Sequence, residues 1–272
     1  MVLRIIILCI AVFVGFETFH FICWIQKDEA LYENVRRYLF IPASFHQLIK
    51  QPWSVITFMF MHEDVEHILW NMLFLYWFGE IYQLYMKDRR VLPIFVFGSI
   101  AGSALSIALY HVLPPLKPRI GIAYMLGASA GVQAVMWAAT ALNPEHKVRM
   151  LFIGYIPLKY VAVGFSLMDY LALTYGNAGG EIAHIGGAIF GYTYILSLRA
   201  GADWFRPLDM IASLFRPKSK LKATYINSAA KREAPSDSEQ KRVDTILDKI
   251  AKSGYNSLSK EEKDFLFKYS NK

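Results

Sequence analysis

The chain has 272 residues, of which 55% are hydrophobic, 15% aromatic and only 19% charged, and its mean hydropathy is +0.29. These values are too apolar for an ordinary soluble domain and predict a membrane protein. The formal net charge of +7 does not require a nucleic-acid partner, and we expect none, because Lys and Arg collect on the cytoplasmic loops and tails of membrane proteins.

The first long apolar run begins near residue 5 and ends near residue 25. It is longer than the apolar core of a signal peptide, which has about 7–15 residues, and no small-residue cleavage pattern follows it. We therefore predict a retained transmembrane helix. The connection 26–64 mixes charged and aromatic residues, which favours a partly helical loop at the membrane interface.

With about 20 mostly apolar residues needed for each span, the sequence predicts an all-α, polytopic bundle of six transmembrane helices. The predicted helices occupy residues 5–25, 65–86, 91–112, 125–142, 158–175 and 183–200. Residues 150–157 are apolar but too short to span. The predicted transmembrane domain is 1–201, and 202–272 is a basic linker with a small helical tail.

Positive charges predict the orientation of this bundle. If six helices alternate, one side receives the basic tail together with Arg4, Lys87, Arg89, Arg90, Lys147, Arg149 and Arg199. Because Lys and Arg are enriched on the cytoplasmic side, both termini are predicted to be cytoplasmic in a multi-pass protein of the cell (inner) membrane.

Polar residues inside apolar helices are costly and usually face the bundle interior. His62 and His67 are five residues apart, one more than in a zinc-binding H-E-x-x-H pattern, and on one helix they would point about 140° apart, so no metal is expected. His67 and Asn71 share a face, where two N–H donors could stabilise an oxyanion. The alternative is a pair that only joins helices.

Ser129 opens the fourth predicted helix, where unpaired backbone N–H groups and the helix dipole favour a developing anion. His184 opens the sixth and shares a face with Gly187 and Gly191, which allow another helix to approach closely. Both residues lie near the outer ends of their helices, so we predict that they meet as nucleophile and general base. A packing serine and a histidine bonded to a backbone carbonyl are the alternatives.

Asp169 lies in the middle of the fifth predicted helix. It could orient His184 as the acid of a triad, but in the middle of its helix it would lie deeper in the membrane than Ser129 and His184, which lie near the outer ends of their helices. The sequence therefore favours a packing or helix-capping role for Asp169.

Together, these motifs resemble those of the rhomboid family of intramembrane serine proteases. The resemblance covers roughly residues 45–200 and is carried, in order, by His67-x-x-x-Asn71, Gly127-x-Ser129 and Ala183-His184-x-x-Gly187-x-x-x-Gly191. It implies a six-helix bundle with a water-filled cavity open to the outer side. Ser129 would be the nucleophile and His184 the base of a dyad that needs no acid and no cofactor. His67, Asn71 and the backbone N–H of Ser129 would line the oxyanion hole.

Three positions depart from the family pattern. Ala130 directly follows the serine where Gly is usual, and Trp53-Ser54 replaces a common Trp-Arg pair. Gln133 replaces the aromatic residue that commonly packs on the histidine ring. The resemblance therefore predicts reduced activity or a different substrate preference, and a gain of activity for Gln133→Tyr.

The tail begins with a basic cluster suited to an anionic inner leaflet, formed by Arg216, Lys218, Lys220 and Lys222. Helical spacing follows at Val243, Ile246, Leu247 and Ile250, and Gly254 can end that helix. Ser259 and Glu262 make a capping box for a second one. Similar tails occur on some bacterial rhomboid proteins. A solvated tail and a docking site for a cytoplasmic partner are the two interpretations.

The leading hypothesis is an intramembrane serine endopeptidase that cleaves transmembrane segments of other membrane proteins within the lipid bilayer. The alternative is a non-catalytic rhomboid-like protein that binds transmembrane helices as a chaperone or delivery factor. The presence of both Ser129 and His184 favours the protease. A transporter would call for internal repeats, and the sequence shows no clear one.

Overall fold

The computed structural model describes residues 1–86, 90–150, 154–174, 177–214 and 237–270. The chain divides into two compact units, Met1–Phe215 and Arg216–Lys272. The first half of the first unit contains α1 (Val2–Gln26), α2 (Glu29–Leu39), β1 (Ile41–Pro42), α3 (Phe45–Lys50), α4 (Ser54–Thr57), a 3₁₀ turn at Phe58–Phe60, α5 (Val65–Tyr85) and α6 (Val91–Val112).

The second half of this unit begins with a 3₁₀ turn at Lys117–Arg119 and continues with β2 (Tyr124–Met125), α7 (Ser129–Leu142), β3 (Lys147–Met150), β4 (Gly154–Pro157), α8 (Leu158–Ala172), α9 (Ala178–Arg199) and α10 (Arg206–Leu214). Helices are present at all six predicted spans, with ends that differ by a few residues. By length and composition, α1 and α6 are apolar and long enough to cross a membrane, and α7 is a shorter apolar helix. That all six cross a membrane stays a prediction.

Helix α7 lies at the centre of the bundle and contacts α5, α6, α8 and α9. Its residues from Ala130 to Met136 are all buried, and glycines on its neighbours allow close contact. A Cβ on Gly98 of α6 would overlap the side chain of Ala134, and a Cβ on Gly191 of α9 would overlap the Ala134 carbonyl oxygen. Small residues therefore set the spacing of these three helices, as is typical of helices that pack in lipid.

Two short antiparallel strand pairs connect loops of the bundle. The all-α prediction did not include them. Strand β1 pairs with β2, and β3 pairs with β4. The apolar segment 150–157, predicted only as too short to span, contributes to the second pair. The fold is therefore mostly helical rather than purely so.

The first unit also includes α10, which the predicted boundary at residues 201 and 202 assigned to the tail. The buried Arg90 guanidinium is ion-paired with Asp203 and, at 2.7 Å, with Asp209 of α10. Because a buried charge is costly without a partner, these pairs attach α10 to the helical bundle.

The second unit contains α11 (Asp237–Ser253), a 3₁₀ turn at Tyr255–Ser257 and α12 (Lys260–Ser270). The predicted two-helix tail and its capping box are confirmed. Gly254 follows α11 with φ +77, and Ser259 and Glu262 exchange hydrogen bonds of 2.7 and 3.2 Å between side chains and backbone N–H groups. The basic cluster predicted at residues 216–222 lies outside the described residues.

Candidate active site

The backbone before α7 places Ser129 at the first position of the helix. Gly127 has φ +113, a conformation that favours glycine, and its N–H donates to the Phe58 carbonyl at 2.9 Å. A Cβ on Gly127 would lie only 2.9 Å from His67 Nε2 and 3.6 Å from Ser129 Oγ. The missing side chain thus lets the His67 ring lie against the backbone next to the serine.

His184 lies in the second turn of α9 and reaches Ser129 across the helix contact. Its Nε2 is 2.6 Å from Ser129 Oγ. Helix α9 is capped by Asn177, whose side chain accepts from the Gly180 N–H at 3.3 Å. The structure brings together the two side chains that the sequence suggested as nucleophile and base, and it joins them by a hydrogen bond.

Asp169 contacts His184, which corrects the depth that the sequence assigned to it. Its Oδ1 is 2.9 Å from His184 Nδ1, and its Oδ2 accepts from Gln133 Nε2 at 2.8 Å. The expected depth was wrong because α8 ends at Ala172, so Asp169 lies in its last turn. The sequence signal that was missed is Gln133, a polar residue one helical turn after Ser129 on the same face of α7, which could have indicated a polar partner such as Asp169 on the neighbouring helix.

A second carboxylate also approaches His184. Glu181 Oε2 is 3.5 Å from His184 Nδ1, and one ligand atom from each of Asp169, Glu181 and His184 lies within 4.8 Å of the others. This cluster has the residue types that bind metals. However, both ring nitrogens of His184 already face protein partners, so binding a metal would disrupt the contact with Asp169 or with Ser129.

His67 and Asn71 lie in the first two turns of α5, whose start is capped by Asp64 through a 2.7 Å bond from the His67 N–H. Asn71 Nδ2 donates to the His67 carbonyl at 2.9 Å, which uses one of its two amide protons. Both side chains line the same cavity as Ser129.

His62 and His67 are close together, although the sequence predicted that they point apart. Their ring centroids are 5.0 Å apart in an edge-on arrangement. The prediction assumed one continuous helix, whereas α5 begins only at Val65, so His62 lies in the preceding loop and its ring is free to turn back. His62 is completely buried.

His62 should make the stability of the fold depend on pH. Burial, with a smaller effect of the neighbouring His67, lowers the pKa of His62 from 6.5 to about 4. As the pH falls from about 6.5 towards 4, the unfolded chain takes up a proton at this position that the folded chain does not, so stability is lost in that window. Between pH 7 and pH 5 the expected loss is about 2 kcal/mol.

We expect thermal denaturation in detergent to show this loss as a difference between wild type and His62→Phe, which keeps an aromatic ring but cannot be protonated. The wild-type midpoint should fall more steeply from pH 7 to pH 5 than that of the variant. Parallel curves for the two proteins would contradict the assignment to His62.

The Ser129–His184 pair opens into a cavity of about 730 Å³. One part of its wall is polar and contains Ser129, His184, His67, Asn71, Asp169 and Gln133. Another part is apolar and contains Trp70, Phe74, Phe78, Val132, Met136 and Phe165. Such a cavity can hold an apolar side chain beside a polar reacting group.

A helical bundle with a serine–histidine pair in its cavity matches a known family. The model of the Rhomboid domain matches residues 50–201, more than half of the chain, so the chain belongs to the rhomboid family, whose members are embedded in membranes. Residues 236–272, which include both helices of the second unit, match a family of unknown function, DUF6576.

Curated relatives carry rhomboid names. Identity to the RHOMBOID-like protein 12, mitochondrial, of Arabidopsis thaliana is 30% over 146 residues, which cover 50% of this chain and 43% of the relative. The Rhomboid-related protein 2 of Mus musculus is 29% identical over 42% of this chain and 32% of its own length. The Rhomboid protein 1, mitochondrial, of Saccharomyces cerevisiae is 28% identical over 52% of this chain and 40% of its own length. The chain spans less than half the length of these relatives.

Proposed function

We propose that this chain is an intramembrane serine endopeptidase that hydrolyses peptide bonds in or beside the transmembrane segments of other membrane proteins. The observation that carries the proposal is the 2.6 Å contact between Ser129 Oγ and His184 Nε2 in a cavity with an apolar wall. A base within hydrogen-bond reach is what a serine needs to act as a nucleophile at neutral pH.

In the first half-reaction, Ser129 Oγ attacks the scissile carbonyl carbon while its proton moves to His184 Nε2. The same nitrogen then gives the proton to the leaving amine as the C–N bond breaks, which leaves an ester on Ser129. Water repeats the sequence in the second half-reaction. It transfers a proton to His184, attacks the ester carbon and releases the new carboxyl terminus, and the proton returns to Ser129.

The developing oxyanion would be stabilised by donors around Ser129. The first N–H groups of α7 have no partner within the helix and lie at its positive end. His67, next to Gly127, and Asn71, one turn further along α5, add side-chain N–H groups. Donors fixed before the reaction begins are the main source of stabilisation in such sites.

The expected substrates are transmembrane segments with residues that weaken a helix, because an intact helix hides its carbonyls in its own hydrogen bonds. The reacting residues lie near the starts of α5, α7 and α9 and the end of α8. In the predicted orientation, with both termini in the cytoplasm, this end of the bundle faces the opposite side of the membrane. Two of the relatives have mitochondrial names, so a mitochondrial membrane and a bacterial cell membrane are both consistent with this proposal.

The test is fluorophosphonate labelling of the detergent-purified full chain, with the modified residue located by mass spectrometry. Labelling confined to Ser129 would support an activated serine. Failure to label under conditions that label an active rhomboid protease would favour the alternative of a non-catalytic protein that binds transmembrane helices, and co-purification of an intact transmembrane partner would then be the next measurement.

Asn71→Ala is expected to lower kcat about 10²–10³-fold without abolishing cleavage, because it removes one oxyanion donor and leaves the serine–histidine pair in place. Steady-state cleavage of a transmembrane peptide measures this effect. Gln83→Ala on the same helix is the control, since Gln83 Nε2 donates to Glu80 Oε1 of the same helix at 3.3 Å. An unchanged rate for Asn71→Ala would assign Asn71 to helix packing.

A further inference from the structure

The polar side chains around His184 form a closed path through three helices. From Ser129 on α7 the path crosses to His184 on α9 and then to Asp169 on α8, over contacts of 2.6 and 2.9 Å. From Asp169 it returns to α7 through Gln133, at 2.8 Å. Helix α7 therefore supplies both the serine and the amide that holds the carboxylate.

Burying Asp169 at this place is costly. Only 9% of Asp169 and 8% of Gln133 is exposed, and a buried carboxylate is tolerated when hydrogen bonds satisfy its oxygens. Here Oδ1 bonds to His184 and Oδ2 to Gln133, and the carboxyl group of Glu181 also lies within hydrogen-bond reach of Asp169. An apolar pair could fill the same space without this cost, so the arrangement is better explained by what it does to the histidine.

We infer that Asp169 is a positioning residue that fixes the tautomer and orientation of His184, with Gln133 holding Asp169 in place. The inference rests on the proposed function, and it replaces a dyad by three linked side chains. A carboxylate accepts from His184 Nδ1 only when that nitrogen carries the ring proton. Nε2 then keeps its lone pair for the hydroxyl proton of Ser129.

The carboxylate also acts after proton transfer. Once His184 has taken the proton of Ser129, its ring is positively charged, and the charge of Asp169 at 2.9 Å stabilises it. In other serine hydrolases an acid in this position stays ionised and holds the imidazolium in the same way.

This role explains why Gln133 can occupy a position that is usually aromatic in the family. An aromatic ring would steady the histidine by packing on its face, whereas Gln133 steadies it through Asp169. The gain predicted from the sequence for Gln133→Tyr is therefore reversed. We now expect a loss, because the substitution removes the 2.8 Å bond to Asp169.

The chain offers a matched control for the structural effect of losing a bond between α7 and α8. Trp137 Nε1 of α7 donates to Ser166 Oγ of α8 at 3.0 Å, one turn away from the Gln133–Asp169 bond on each helix. Ser166→Ala removes this bond without touching His184. Glu181→Gln tests the second carboxylate, which is 3.5 Å from the same ring nitrogen.

The experiment compares wild type, Asp169→Asn, Gln133→Leu, Ser166→Ala and Glu181→Gln as purified full-length proteins. For cleavage of a transmembrane peptide, Asp169→Asn is expected to lower kcat by up to about 10⁴-fold with KM changed less than about twofold, because the change affects the base and not the binding of the substrate. Gln133→Leu should lower kcat by less. Ser166→Ala should leave both constants within about twofold.

A second readout does not depend on activity. In protein labelled with ¹⁵N-histidine, the imidazole signals of His184 are identified by their loss in His184→Gln, and their shifts report which nitrogen carries the proton. We expect the proton on Nδ1 in wild type and a loss of this preference in Asp169→Asn.

The outcomes separate the inference from the proposed function. A proton on Nε2 in wild type, or an unchanged kcat for Asp169→Asn, would overturn the role of Asp169. A loss of kcat in Glu181→Gln alone would overturn it in favour of Glu181. If wild type neither labels nor cleaves but carries the proton on Nδ1, the proposed protease function fails and the positioning of His184 stands. If Asp169→Asn does not fold, the wild-type spectrum decides.

Discussion

Ser129→Ala is expected to abolish cleavage of a transmembrane substrate while the protein stays folded. The substitution removes one hydroxyl group, which is hydrogen-bonded to His184, and it keeps Cβ, so α7 retains its packing. Without the hydroxyl group no ester can form on the protein. A loss on the order of 10⁶-fold in kcat is expected for removal of such a nucleophile.

The measurement is cleavage of a transmembrane peptide in proteoliposomes, with the thermal midpoint as the test of folding. Ser103→Ala is the matched control, because Ser103 is a buried serine of α6 whose hydroxyl bonds its own helix, to the Ile100 carbonyl at 3.0 Å. Persistent cleavage by purified Ser129→Ala, at the same cleavage site as wild type, would contradict the proposed mechanism.

His184→Ala should be as inactive as Ser129→Ala, and the double variant should be no worse than either. Groups that act as one unit in a reaction show this lack of additivity, since losing either one removes the same step. Effects that multiply in the double variant would instead indicate that Ser129 and His184 contribute separately.

The long helices could be predicted because their signals are local. Apolar runs of about 20 residues, broken by charged or proline-rich connections, gave the positions of α1, α5 and α6 to within a few residues. The meeting of Ser129 and His184 also followed from local information. Each lies near the start of its helix, and glycines next to His184 show which face of α9 comes close to a neighbour.

Errors arose where a helix end had to be known within one turn. The apolar pattern runs past Ala172, so α8 was predicted to be too long and Asp169 was placed too deep. At the other end of the site, the angle between His62 and His67 was calculated as if both lay on one helix, although His62 precedes Asp64, which caps α5. Helix ends depend on caps and tertiary contacts as well as on hydropathy, which makes them the least certain part of a sequence-based prediction.

The pairing of β1 with β2 could not be predicted for a different reason. Strand β1 is two residues long and pairs with residues 124 and 125, more than 80 positions further along the chain. Two residues are too few to show an alternating pattern. Such a pair forms because the packed helices bring its two strands together. Its formation therefore depends on the tertiary structure of the whole unit and not on the local sequence.

Gly187→Ala and Gly191→Ala are expected to lower both stability and activity, because the active site depends on how closely α9 approaches α7. A Cβ on Gly187 would overlap the carbonyl oxygen of Ala130, and one on Gly191 would overlap that of Ala134. Backbone atoms cannot rotate away as a side chain can, so the helices must separate. Overpacking of this kind costs about 1–3 kcal/mol or more.

The expected result is a lower thermal midpoint for both variants and slower fluorophosphonate labelling, by about 10²-fold if the serine and histidine separate by about 1 Å. Gly164→Ala on α8 is the control, because a Cβ there meets no atom within 4 Å. Wild-type behaviour of both variants would contradict the close contact of α7 and α9.

The two variants should also differ from each other. Gly187 faces Ala130, the residue after Ser129, and is one turn from His184, whereas Gly191 is a turn further down α9. Separation at Gly187 therefore opens the 2.6 Å contact directly, while separation at Gly191 can be partly absorbed by tilting α9. For a similar fall in thermal midpoint, Gly187→Ala should lose more labelling than Gly191→Ala. An equal loss of labelling would mean that α9 moves as a rigid body, with the hydrogen bond between Ser129 and His184 lost in one step.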